Sequence, residues 1–289
     1  MSVPITGHTK LTGLLGSPVA HSISPQMHNL SFQYLNLDYA YLCFEVDESS
    51  LVTAVNGLKA LGVRGFNLTM PCKNQMVELC DSLSDAARLI GAVNTVVCED
   101  GRLIGHNTDG VGFVRALRDA GHEITGKTMT LLGAGGAATA MCVQAALDGA
   151  KAIHVFARPT SRFWDRMKNL ADEISRAYPC RVTLTKQDDQ TRLKSALEES
   201  QFLVNGSSVG MAPRTEDSLI TDPGYFHPDL TVFDAIYNPR QTRLLKLAEE
   251  AGCPTCNGLY MLLYQGAEAF RLWTGQDMPV DHIKAACFS

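Results

Sequence analysis

Residues 127–140, KTMTLLGAGGAATA, restrict the possible folds more than any other stretch of the chain. A short apolar run, TMTLL, passes without a spacer into a glycine-rich loop and then into small helix-forming residues. The run has the length and character of a strand inside a sheet, and the alanine-rich segment after it suits a helix lying close on that strand. A strand that turns directly into a helix is the first half of a βα unit. Such units assemble into a parallel sheet covered by helices.

The alternation recurs along the chain. LTGLLG precedes PQMHNLSFQYLN, YAYLCFEV precedes SSLVTAVNGLKALG, and RGFNLTM precedes KNQMVELC; after the glycine loop come KAIHVFAR, QFLVNGSS and TVFDAIYN, the last followed by TRLLKLAEEAG. A length of 289 residues suits two domains, and the series predicts α/β domains over residues 1–110 and 111–252, with residues 253–289 returning to complete the first. GHNTDGVGFVRALRDAGHEITGK joins them through a helix expected from about Gly110 to Ala120. NGLYMLLYQGAEAFRLWTG reads as one amphipathic helix with Met261, Leu262, Gln265, Ala269 and Leu272 near one face. A cleft between two α/β domains is a favoured place for a ligand.

Bulk chemistry excludes several classes. A net charge of -5, with no run of basic residues, offers nothing to hold a nucleic-acid backbone. No apolar stretch is long enough to span a membrane, and MSVPITGHTK lacks the regions of a signal peptide, so the expected location is the cytoplasm. Nine scattered cysteines are an odd number and suggest reduced thiols. Cys253 and Cys256 form a C-x-x-C without the second pair that zinc requires, and His21, His28 and His106 have no supporting ligand pattern, so no metal is expected and the histidines read as capping or polar structural residues. Cys72 lies beside Lys73 with no adjacent histidine to act as base, which argues against a nucleophile.

Gly133, Gly135 and Ala138 satisfy G-x-G-x-x-G/A in its required setting, after a strand and before a helix. The first glycine permits the tight turn, the second lets backbone approach a pyrophosphate, and the alanine allows close helix packing, while the helix N-terminus offers N–H groups to the anion. Gly133, Ala134, Gly135, Gly136 and Ala137 are therefore candidate dinucleotide-binding residues. The next strand ends in HVFARPTSR. A carboxylate there would accept a ribose 2′-hydroxyl, whereas arginine accommodates a 2′-phosphate. Arg158, Thr160 and Arg162 are present and no acid follows until Asp165, which favours NADP over NAD.

The first half carries a different set. SPVAHSISPQMH places Ser22 and Ser24 two apart, so two hydroxyls face one ligand if the segment is extended; equally, Ser24 caps a helix begun by Pro25. FNLTMPCK supplies Asn67, Thr69 and Lys73, GAVNTVV supplies Asn94, and GHNTDG supplies Thr108 and Asp109, the last also able to serve as a helix cap. With Gln265 these are neutral hydrogen-bonding groups plus one amine and one acid. That set suits a small polyhydroxylated molecule, and a lysine beside a carboxylate can manage the proton of an alcohol undergoing hydride transfer.

In their order and spacing, HSISPQMHN, FNLTMPCK, GAVNTVV, GHNTDGVGF, LLGAGGAATA, NGSSVGM, YNP and GLYMLLYQGAEAFRLWTG resemble the shikimate dehydrogenases, particularly the branch that includes quinate/shikimate dehydrogenases. The resemblance covers essentially the whole chain. It implies an N-terminal α/β substrate domain and a C-terminal NAD(P)-binding Rossmann domain. It further implies reversible reduction of 3-dehydroshikimate to shikimate, with quinate and NAD left open as second substrate and cofactor. The chain is expected to be a monomer or homodimer. By position, Ser22, Ser24 and Tyr237 would bind the substrate carboxylate and Thr69, Asn94 and Gln265 its ring hydroxyls. Lys73 and Asp109 would meet the reacting hydroxyl, and Asn205, Ser207, Met211 and Gly258 would line the nicotinamide end of the cofactor site. The chain departs from the family's Asn-Arg-Thr-x-x-Arg signature, reading Ala157-Arg158-Pro159-Thr160-Ser161-Arg162, and the FWDR that follows resembles the dual-cofactor branch. Two other readings stay open: a paralogue acting on an amino-shikimate or other cyclitol acid, and a non-catalytic cofactor-binding regulatory module.

Overall fold

In the computed structural model, which describes residues 5–288, the chain forms two units, one of residues up to Thr108 together with Leu263 onward, the other of Asp109–Leu262. The first begins with β1 (Lys10–Gly16), α1 (Ser24–Tyr34), β2 (Tyr39–Glu45), α2 (Leu51–Ala60) and β3 (Gly65–Leu68). It continues with α3 (Met76–Leu79), β4 (Ser82–Leu83), α4 (Asp85–Ile90), β5 (Thr95–Glu99) and β6 (Arg102–His106). The strands form one sheet in the order β2-β1-β3-β5-β6-β4.

That sheet is not the parallel one the alternation predicts. β1 runs parallel to β2 and β3, but β5 is antiparallel to β3 and to β6. For β5 and β6 the cause is local: Asp100 and Gly101 take φ of 49° and 74° between the paired residues Glu99 and Arg102, the backbone that an Asp-Gly hairpin turn requires.

The second unit contains α5 (Asp109–Asp119), β7 (Thr128–Leu132), α6 (Gly136–Leu147), β8 (Ala152–Ala157), α7 (Trp164–Ala177), β9 (Arg181–Lys186), α8 (Gln190–Glu199), β10 (Phe202–Asn205), β11 (Thr231–Asp234), α9 (Arg243–Glu250) and β12 (Thr255–Asn257). Its strands lie in the order β12-β11-β10-β7-β8-β9, all parallel. This is the doubly wound arrangement, whose winding reverses between β7 and β10. Because β12 pairs with β11, residues 253–262 belong to this unit rather than returning to the first as expected.

α10 (Leu259–Thr274) crosses from one unit into the other, and α11 (Val280–Cys287) ends the chain. α10 buries Leu263, Ala267, Phe270 and Trp273; of the predicted face Met261 and Ala269 are buried as well, whereas Leu262, Gln265 and Leu272 are only partly buried. The helix is apolar on more than one side, and the face carrying the two large aromatics wins. Trp273 donates to the Val96 carbonyl at 2.9 Å and lies so close to Gly65 that a Cβ there would stand 2.3 Å from its indole nitrogen. No helix among the described residues is long and apolar enough to cross a membrane.

His28, expected to be a capping or polar structural residue, is neither. Its ring is fully buried, stacked on Tyr41 at 4.5 Å and flanked by Phe270 and Trp273, and both ring nitrogens lack a hydrogen-bond partner among the described residues. Burial alone pulls its pKa down to about 3. The unfolded chain takes up this proton below about pH 6.5 and the folded chain does not, so the neutral ring's contribution is intact above that pH and is lost as pH falls. Between pH 7 and pH 5 this group should remove about 2 kcal/mol of stability. Urea unfolding of His28→Phe should show a correspondingly shallower loss than the unmodified chain; parallel pH profiles would rule this account out.

Candidate active site

Strand register collects the predicted residues of the first unit at one edge of its sheet. Leu15 pairs with Leu68, so the chain leaving β1 toward Ser22 and Ser24 lies beside the chain leaving β3 toward Thr69 and Lys73. The antiparallel β5 then presents its amino end there, because Asn67 pairs with Thr95 and Thr95 with His106. Asn94 and the Asn107–Thr108 pair consequently meet at that same edge. The hairpin that breaks the parallel pattern is what assembles the site.

A chain of hydrogen bonds runs along this edge. The Tyr41 hydroxyl, near the Ser24 side chain, donates to Asn67 Oδ1 at 2.8 Å. Asn67 Nδ2 donates to Thr95 Oγ1 at 2.9 Å, and Thr95 Oγ1 donates to Asn94 Oδ1 at 3.0 Å. Asn94 Nδ2 donates to Thr108 Oγ1 at 3.0 Å, and Thr108 N donates back to Asn94 Oδ1 at 2.8 Å. Burial pushes the Tyr41 hydroxyl well above the usual phenol range, so it remains a donor. Tyr41→Phe strands the buried Asn67 carbonyl and should cost about 1–3 kcal/mol by chemical denaturation; no measurable change would mean that the ladder has another route to satisfaction.

The serines do not sit in an extended strand. Ser22 N closes a turn onto the Val19 carbonyl at 3.0 Å, and the Ser22 hydroxyl accepts from Ser24 N at 3.2 Å. Ser24 is the first helical residue of α1 and makes no capping bond among the described residues, and its side chain lies near the Tyr41 hydroxyl. Lys73, half-buried, lies in a loop fixed by its backbone: Cys72 N bonds the Thr69 carbonyl at 3.0 Å and Val93 N the Lys73 carbonyl at 2.9 Å. Beneath it Cys72 is fully buried, and burial raises its thiol pKa, the opposite of a nucleophile's environment. Asp109 follows Thr108 directly and opens α5, while Gln265 is half-buried on α10. All nine cysteines are free, Cys253 and Cys256 included, and no cluster able to hold a metal occurs among the described residues.

In the second unit the predicted residues occupy the carboxyl ends of the parallel strands. Gly133, at φ 109°, leaves β7 so close to β10 that a Cβ would stand 3.2 Å from Ser207 N. Ala134 is buried, and Ala137 lies in the first turn of α6. Gly206 has no room for a Cβ, which would meet the Ala138 Cβ at 2.7 Å. Gly135 and Gly136 differ: no atom lies within 4 Å of a Cβ at either, and Gly135 has φ of -75°, open to any residue. Packing therefore does not demand glycine at these two positions, whereas a pyrophosphate lying against the backbone does. The N-cap of α6 makes no side-chain bond, which leaves its N-terminus suited to an anion. These residues fit a dinucleotide.

Asn205 is buried and turned inward. Its Oδ1 accepts from Ser207 N and Oγ at 3.0 and 2.7 Å, and its Nδ2 donates to Asp234 at 3.0 Å. Asp234, which the sequence reading did not single out, also accepts from Ile236 N at 3.0 Å and Thr242 Oγ1 at 2.7 Å, and burial pushes its carboxyl up to about 6. It ties together the loops after β10 and β11 and the start of α9. Met211, Tyr237 and Tyr260 are the exposed large apolar side chains of this unit, all on loops or helix starts beyond β10, β11 and β12. Gly258 is fixed by packing, since a Cβ there would meet the Ala235 carbonyl oxygen at 2.1 Å.

A cavity of about 460 Å³ lies beyond β8 and β9, lined by Arg158, Pro159 and Thr160 on one side and by Asp188, Gln190 and Leu219 among others. Arg162, paired with Arg158 in the sequence reading, does not line it and lies over the Phe163 ring at 4.7 Å.

A doubly wound parallel sheet with an open glycine loop, joined to an α/β unit bearing a polar edge, defines a dinucleotide-binding α/β protein of the dehydrogenase class. Residues 14–96 match the shikimate dehydrogenase substrate binding domain and residues 258–288 the shikimate 5′-dehydrogenase C-terminal domain. A shikimate dehydrogenase (NADP(+)) of Listeria innocua is 48% identical over 98% of this chain and 97% of its own, and one of Streptococcus pyogenes is 50% identical over 98% of each. The crystal structure of shikimate 5-dehydrogenase from Listeria monocytogenes, in complex with shikimate and NAD, aligns with a TM-score of 0.95 at 48% identity, covering 98% of this chain and 97% of that one. The chain belongs to the shikimate dehydrogenase family.

Proposed function

We propose that this protein reversibly reduces 3-dehydroshikimate to shikimate, with NADP as preferred cofactor and NAD as a second. The reading rests on the ladder of neutral hydrogen-bonding groups at one sheet edge, close in sequence to one amine and one acid, in a chain half identical to curated shikimate dehydrogenases. Ser22, Ser24 and Tyr237 bind the carboxylate of the ring acid, and Thr69, Asn94 and Gln265 hold its hydroxyls. A nicotinamide, when bound, supplies the hydride for reduction or accepts it on oxidation. Lys73 gives a proton to the forming alcohol oxygen on reduction and takes it back on oxidation, and Asp109 is the acid that serves the same proton transfer. The glycine loop from Gly133 to Ala137 holds the pyrophosphate, Arg158 and Thr160 the adenosine end, and Ser207, Met211 and Gly258 border the nicotinamide. Asn205 acts through Ser207 rather than by direct contact.

We place the enzyme in the cytoplasm, where nine free thiols stay reduced, as a monomer or homodimer. Quinate is the second ring acid for this site. The test is to incubate 3-dehydroshikimate with NADPH and identify the product by NMR. One shikimate formed per NADPH consumed is expected, and NADPH consumption without shikimate, or a preference for an amino-substituted ring, would overturn the substrate.

A further inference from the structure

The cavity beyond β8 and β9 contains a charge that the strand-end rule does not anticipate. That rule looks for an acid at the end of β8, where this chain has Ala157 and Arg158. Asp188, leaving the neighbouring β9, lines the same cavity, and of the described lining residues Arg158 is the only cation and Asp188 the only anion. The adjacent aspartates have different employment. Asp189 caps α8 by accepting from Arg192 N at 3.0 Å and also pairs with the Arg192 guanidinium, whereas Asp188 makes no side-chain hydrogen bond or ion pair among the described residues. Arg158 likewise forms no ion pair there. A carboxylate with no structural partner therefore borders a cavity whose fixed charges cancel.

We propose that Asp188 sets the cofactor preference, by opposing the 2′-phosphate of NADP while leaving NAD unaffected; this rests on the dinucleotide reading of the site. A ribose 2′-phosphate carries between one and two negative charges near neutral pH. Arg158 attracts it and Asp188 repels it, so the two side chains offset one another for NADP. A neutral 2′-hydroxyl feels neither force strongly, and the carboxylate can accept its hydrogen bond. This explains how a chain with Arg158 at the end of its second strand keeps access to both cofactors, and it makes β9 a determinant of a choice ordinarily read from β8.

The experiment measures binding directly. Calorimetry compares adenosine 2′,5′-bisphosphate with AMP on the unmodified protein and on Asp188→Asn, at low salt and again at 1 M salt. The variant should bind the bisphosphate about 5- to 10-fold more tightly at low salt, with AMP changed by less than about twofold, and the gain should shrink at 1 M salt. In steady-state assays the NADP-to-NAD ratio of kcat/KM should rise by a similar factor. Equal shifts for both nucleotides, or none, overturn the role of Asp188 alone. Unmodified protein that binds neither nucleotide overturns the dinucleotide reading and this inference together.

Discussion

Replacing Lys73 with alanine is expected to lower kcat by about 10²- to 10⁴-fold, the range associated with loss of a general acid–base group. The fold should survive, because the Lys73 loop is held by backbone bonds that alanine retains: Ser17 N to the Met70 carbonyl at 3.0 Å, Cys72 N to Thr69 and Val93 N to Lys73 itself. The buried Cys72, whose thiol reaches the Val46 carbonyl at 3.4 Å, anchors the loop from below. Cofactor affinity should stay within about threefold, since no cofactor residue changes. Lys73→Arg should be nearly as inactive, because a guanidinium does not release its proton at working pH. Turnover near that of the unmodified enzyme in the alanine variant would remove Lys73 from the chemistry.

The second large effect is expected at Gly135. Valine there should weaken dinucleotide binding by about 100-fold or more, a change of about 2.7 kcal/mol, while the melting temperature moves by no more than about 2 °C. The asymmetry follows from the backbone: Gly135 has φ of -75° and no atom within 4 Å of a Cβ, so a side chain enters only the space assigned to the pyrophosphate. Gly258 and Gly133 are the contrast, the first closed off by the Ala235 carbonyl and the second held at φ 109°, so substitution there damages the protein itself. Titration of nicotinamide fluorescence against Gly135→Val and Gly258→Ala, with melting curves for both, separates the two kinds of glycine. A Gly135→Val protein that binds cofactor normally would contradict the placement of the pyrophosphate.

Local signals made the second unit legible. Each of its parallel strands is a short apolar run followed by a helix, and the glycine loop names its own neighbours in sequence. The first unit was less readable, because its sheet depends on one two-residue turn. Asp100-Gly101 is a hairpin signal in plain view within CEDGRL, and attention to it would have made β5 and β6 antiparallel from the start.

The ladder from Tyr41 to Thr108 was legible only in part. Asn67, Asn94 and Thr108 stood out within polar motifs, but Tyr41 and Thr95 lay in runs that read simply as strands, and only register across β2, β3 and β5 brings them together. Asp234 and Asp188 were missed for a related reason. An acid at or just beyond a strand end has no spacing pattern, and its role depends on which strand lies next to it.

Initial rates followed by nicotinamide absorbance, crossing shikimate and quinate with NADP and NAD, test the central claim most directly. Shikimate oxidised with NADP at the highest kcat/KM of the four combinations is the predicted result. Silence in all four, from protein that still binds NADP, would contradict it: the dinucleotide unit would stand, and the polar edge of the first sheet would belong to another molecule.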